Sequence, residues 1–142
     1  MAPPACVFCE IVAGQAPASV VHRDDRVVAF MDIRPVTAGH LLVVPLRHAG
    51  GLGELDEEDG AHAFRVARRL AVALRRAGVP CDGVNLYLAD GAAAGQEVFH
   101  VHLHVFPRYS GDGVRLSVAA SRPVREELDR VAGSVRAALD RA

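Results

Sequence analysis

His100-Val101-His102-Leu103-His104-Val105-Phe106 alternates imidazole with apolar side chains, and the reading of this stretch decides both fold and chemistry. Successive side chains of a strand point to opposite faces, so the alternation predicts a strand over 101–106 with its histidines on one face and its aliphatic chains on the other. Residues two apart lie about 6.6 Å from each other along a strand, which separates His100 from His104 by about 13 Å of backbone. One zinc ion, which wants donors at about 2 Å, does not comfortably hold all three rings. An imidazole nucleophile at the centre, His102, flanked by two helpers with separate tasks, suits the spacing better. The alternatives are a half-buried strand with a polar outer face, and a His-x-His metal site of the kind found in carbonic anhydrases and cupins. The cupin version wants a glutamate shortly after the pair, where this chain has Pro107-Arg108-Tyr109-Ser110-Gly111.

Working outward, Ser19–His22 and Val27–Met31 flank Asp24-Asp25-Arg26 and predict a β-hairpin. Leu41–Val44, closed by Pro45, predicts a third strand, and the three suit a meander. From Asp56 to Ala77, Phe64, Ala67, Leu70, Ala71 and Leu74 recur at helical spacing, with acids in the first turn and Gly78 beyond the end. Val84–Leu88 predicts a further strand, and a C-terminal helix is expected over about 123–141. The expected fold class is α+β: an antiparallel sheet of about five strands, one long central helix and a C-terminal helix. At 142 residues, residues 1–142 suit a single domain with a core that needs no disulfide staples.

Composition narrows the functions. The net charge of −1 and 23% charged residues show no basic excess for nucleic acid. All 16 cationic residues are arginine, which excludes the phosphate-reaching lysine of a P-loop and Schiff-base chemistry. Phosphate would fall to backbone amides, histidine and Arg108. The start, Met1-Ala-Pro-Pro-Ala-Cys-Val-Phe-Cys, lacks the basic and apolar regions of a signal peptide, and no run is long enough for a membrane span, so a cytoplasmic location is expected. Three cysteines there argue against a disulfide framework. Cys6-x-x-Cys9 alone is open between a redox pair, half a zinc knuckle and coincidence.

An unprotonated, aimed nitrogen on His102 can attack phosphorus and form a nucleotidyl-histidine. An acceptor on its other ring nitrogen would aim it, and the main chain of His40, after Gly39, is the expected source. His104 would hydrogen-bond a phosphate oxygen or a bridging atom. Gly95-Gln96-Glu97 is a candidate anion-binding nest. His22 and His62 fit no constellation.

Gly95-Gln96-Glu97-Val98-Phe99-His100-Val101-His102-Leu103-His104-Val105-Phe106-Pro107-Arg108 resembles the signature of the histidine-triad family of nucleotide hydrolases and transferases. Phe30–Pro35, Gly39–Pro45 and Cys6–Val12 resemble the same family in order and spacing, covering about 6–108. The resemblance implies a homodimer with joined sheets and a purine nucleotide or nucleotide conjugate in each subunit. It assigns the ribose hydroxyls to Asp32, the base and sugar pocket to Phe8, Ile11, Phe30 and Ile33, and the phosphate to His104 and the amides of Gly95, Gln96 and Glu97. It implies a structural zinc on Cys6, Cys9, His48 and His100. Cleavage of nucleoside 5′-phosphoramidates or related conjugates through His102 is the leading expectation. Dinucleoside polyphosphate cleavage, which the Pro107-Arg108 ending favours, and a non-catalytic nucleotide-binding adaptor are the alternatives. Two departures bear on leaving-group preference: Glu97 and Ala89 stand where phosphoramidate-cleaving members often carry serine and asparagine.

Overall fold

The computed structural model describes residues 5–142; the first four residues of the stretch read for a signal peptide lie outside them. Five strands form one antiparallel sheet in the order β1-β2-β3-β5-β4, from β1 (Val20–Arg23), β2 (Val27–Met31), β3 (Leu41–Pro45), β4 (Gly83–Tyr87) and β5 (Leu103–Arg108). The α+β architecture and the β1-β2-β3 meander are as the sequence implies. A short helix α1 (Val7–Val12), the long α2 (Glu57–Leu74) and α3 (Arg125–Leu139) complete the chain, with single 3-10 turns at Leu52–Glu54 and Ala92–Ala94.

Helices cover both faces of the central strands, which is why β2 and β3 read as unbroken apolar runs rather than alternating ones. Val27, Ala29, Leu41, Val43 and Val105 pack with Ala63, Val66, Ala67 and Leu74 of α2. Val28, Phe30, Leu42 and Val44 pack on the opposite face with Phe8 of α1. Helix α2 starts where Asp56 accepts from the Asp59 amide, and three acids follow in its first turn. Its buried stripe runs through Ala63, Val66, Ala67 and Leu74, so Phe64, expected in the stripe, is instead 57% exposed. Phe64 is drawn out of the core because it faces the edge strand: with Ala71, Val72, Val84 and Leu86 it lines a surface cavity.

Strand β5 begins two residues later than expected. His100 and His102 precede the ladder, and only His104 lies within it, opposite Leu42 of β3 and Tyr87 of β4. At the head of β3, Gly39 takes φ +102°, and a Cβ there would lie 3.2–3.3 Å from Leu74, Pro107 and Val79. Only glycine lets the chain turn this close to the core and deliver His40.

Candidate functional site

A cleft of about 350 Å³ opens on the α1 side of the sheet, within the size range of small-ligand sites. One part of its wall is apolar and includes Phe8, Ile11, Phe30, Ile33, Leu42 and Val98; Asp32, Arg34, Tyr87, Gly95, Glu97, His102 and His104 also line it. Phe8 is held edge-on to Phe30, with centroids 5.5 Å apart, and edge-on to His102, 5.1 Å away. Ile33 is 93% exposed and contributes only to the rim.

The histidines divide according to what holds each ring nitrogen. His102 Nδ1 lies 2.8 Å from the His100 carbonyl. A carbonyl only accepts, so Nδ1 carries a proton, and in the neutral ring Nε2 keeps a free lone pair. The acceptor is thus the His100 main chain, not that of His40, whose carbonyl takes the Asp32 amide at 3.0 Å. His40 works through its side chain instead. Its Nδ1 accepts from the Val36 amide at 3.0 Å, which leaves the proton on Nε2, and Nε2 donates to His104 Nδ1 at 2.9 Å. In the neutral ring the remaining proton of His104 then sits on Nε2. Burial holds His104 down to about 4, with His102 and His40 adding to the effect and Asp32 opposing it; burial also lowers His40. Both rings are therefore neutral at pH 7, and a chain of donors runs from Val36 through His40 to His104.

Asp32, His40 and His104 also place three potential ligand atoms within 4.8 Å of one another. The Val36 hydrogen bond rules them out as a metal site of that composition, because the nearest His40 nitrogen, Nε2, is protonated and has no lone pair to give.

Cys6, Cys9, His48 and His100 make the opposite arrangement. His100 is fully buried, and its Nε2 donates to the Pro45 carbonyl at 2.7 Å, leaving the Nδ1 lone pair aimed at both sulfurs, 3.5 Å from each. His48 Nδ1 lies 3.3 Å from Cys9 Sγ. Zinc bonds of about 2.3 Å to sulfur and about 2.0 Å to nitrogen put the S···N edges of a tetrahedron at about 3.5 Å, so the four side chains fit such an ion. Burial, with the hydrogen bond and charge of Cys6, pushes the Cys9 thiol up to about 11, a proton that a bound cation would displace. The set also explains α1. A six-residue helix is not stable alone, and Cys6 caps it by accepting the Cys9 amide at 3.4 Å.

A HIT-domain model matches residues 13–111 of the chain. The chain belongs to the HIT family. An uncharacterised HIT-like protein of Borreliella burgdorferi is 43% identical over 109 residues, covering 76% of this chain and 78% of that one. Among solved structures, a HIT family protein from Bacillus anthracis superposes with a TM-score of 0.88 at 36% identity, covering 96% and 99% of the two chains. A Zn-bound histidine triad family protein from Mycobacterium smegmatis does so with a TM-score of 0.75 at 43% identity, covering 96% of each.

Three expectations for this HIT protein change with the geometry. The amides of Gly95 and Gln96 are not free for an anion: they donate to Ala92 and Gly91 carbonyls and close the turn after the second 3-10 segment. Gly95, at φ +93°, serves as the turn residue, and Glu97 and Val98 hold the amides without a partner among the described residues. The buried Gln96 side chain bridges Gly50, Gly91 and Val98, a staple between loops rather than a cleft contact. Arg108 binds Asp112, Asn85 and the Val114 carbonyl and does not line the cleft. His22 and His62 do join a constellation: both reach Asp24 Oδ2, at 2.7 and 2.8 Å, clamping the β1-β2 turn to α2. Burial opposes ionisation of Asp24, but these hydrogen bonds and two from backbone amides hold its carboxyl well below the usual range. Arg34 and Tyr87, both lining the cleft, escaped sequence reasoning; a basic residue two after Asp32 was the available signal for Arg34.

Proposed function

We propose that this HIT protein hydrolyses nucleoside 5′-phosphoramidates or related nucleotide conjugates at the α-phosphate through a nucleotidyl-His102 intermediate. The observation that carries the reading is the hydrogen bond from His102 Nδ1 to the His100 carbonyl, which makes Nε2 the bare nitrogen of the neutral ring in a residue that lines the cleft. The lone pair of Nε2 attacks phosphorus, the N–P bond forms, and the bond to the leaving group breaks. His104, its Nδ1 occupied by His40, offers its Nε2 proton to a phosphate oxygen or to the departing atom. Water then cleaves the N–P bond, releasing the nucleoside monophosphate and restoring His102. Asp32, whose Oδ1 accepts from the Arg34 amide at 2.8 Å, holds the ribose diol, and Phe8, Ile11, Phe30 and Ile33 hold the base. The dinucleoside polyphosphate alternative loses its support from Arg108, which is committed to Asp112.

Zinc on Cys6, Cys9, His48 and His100 fits this reading as a structural ion, which would fix α1 and so present Phe8 to the cleft. A homodimer would join two β4 edges, where Phe64, Val72 and Leu86 are exposed, and Phe64→Glu would then yield a monomer by analytical ultracentrifugation. No helix among the described residues is long and apolar enough to cross a membrane.

Brief exposure to adenosine phosphoramidate, an alkaline quench and peptide mass mapping test the chemistry. The adenylyl adduct is expected on His102; an adduct elsewhere, or unchanged turnover by His102→Ala, contradicts it.

A further inference from the structure

At the mouth of the cleft, Arg34 Nη2 donates to Glu97 Oε2 at 2.9 Å, joining the loop after β2 to the loop before β5. The two side chains are 80% and 75% exposed, so the pair adds little to stability and is open to whatever enters. Its position gives it a different significance. The cleft lining has three fixed charges among the described residues: Asp32, Arg34 and Glu97. With no lysine in the chain and with His40 and His104 neutral at pH 7, Arg34 is the one fixed cation there. Glu97 occupies that cation.

We propose that Arg34 and Glu97 form a charge gate at the cleft mouth that selects substrates bearing no anion beyond the phosphate under attack. This rests on the reading of the cleft as a nucleotide site. A polyphosphate tail reaching the mouth must pull Arg34 from Glu97 and then lie beside a bare carboxylate, in a cleft whose lining already carries one net negative charge. A neutral or amine leaving group leaves the pair intact, and a protonated amine gains from Glu97. The same pair also links ribose and phosphate ends, because the Arg34 amide holds Asp32 while its side chain reaches the segment after Gly95. A purely structural tie between the loops would affect all nucleotides alike; a charge gate distinguishes them by charge, with opposite signs for its two members.

Calorimetric titration of wild type, Glu97→Gln and Arg34→Gln with AMP, ADP and ATP, without added divalent metal, measures this directly. Wild-type affinity is expected not to rise from AMP to ATP. The ATP-to-AMP affinity ratio should rise about three- to tenfold in Glu97→Gln and fall by a similar factor in Arg34→Gln, with both shifts shrinking at high salt. A wild type that clearly prefers ATP, ratios that stay fixed or move together in the two variants, or no binding of any of the three overturns the gate. Turnover of adenosine phosphoramidate by the same preparations keeps the parent reading separate. Absent turnover with oppositely shifted ratios removes the hydrolase and leaves the gate; turnover with fixed ratios does the reverse.

Discussion

His100 and His102 stand two residues apart, yet one faces two thiols and the other an open cleft. Each ring sets one nitrogen on a backbone carbonyl, and the difference lies in which nitrogen. His100 donates from Nε2 to Pro45 and turns Nδ1 to the two sulfurs, while His102, which lines the cleft, donates from Nδ1 to His100 and leaves Nε2 outside that contact. A single residue therefore serves both regions: the His100 side chain belongs to the Cys/His set, and its carbonyl orients His102, the proposed nucleophile. Spacing puts imidazoles near one another; the hydrogen-bond partner decides what each can do.

The comparison breaks most sharply at His102. His102→Ala should lower turnover of adenosine phosphoramidate by about 10⁴-fold or more, with metal content and thermal midpoint close to wild type, as read by kinetics, elemental analysis and calorimetry. His104→Gln, which leaves the nucleophile but removes its helper, should cost about 10²-fold in kcat, again without metal loss. Cys9→Ser probes the other region. It should release the metal, loosen α1 and raise KM about tenfold, the equivalent of losing most of one apolar contact at Phe8, while kcat changes far less. Equal losses in kcat and KM across these three variants would erase the division between the regions.

On stability rather than turnover, the expected effect is a pH dependence. His104 is held at about 4 when folded, against 6.5 for the free side chain, so the unfolded chain binds more protons between those values. Its contribution is present above about pH 6.5 and is lost as pH falls toward about 4. The thermal midpoint should drop over that window, less steeply in His104→Gln.

Much of this was legible in the residues. The hairpin, β3, α2 and the C-terminal helix follow from periodicity and capping, because Asp56, Gly78 and the apolar spacing act locally. The site residues were visible as types in an order, from Cys6 and Cys9 through Asp32 and His40 to the triad. What sequence could not carry was the pairing of polar atoms across long separations. The His40–His104 contact spans 64 positions and Arg34–Glu97 spans 63. Phe64 misled for a related reason: a helical period gives the stripe's spacing but not which neighbouring phase faces the sheet. Short α1 left no periodic signal, since six residues make under two turns and its sheet contacts through Phe8 come from tertiary structure.

The most direct measurement is long-range ¹⁵N–¹H NMR of the imidazole rings in the metal-loaded protein near pH 7.5. It should show His102 protonated at Nδ1 and bare at Nε2, His40 protonated at Nε2, and His100 protonated at Nε2 with a metal-shifted Nδ1. A proton on His102 Nε2, with Nδ1 bare, would contradict the division of labour on which the account stands.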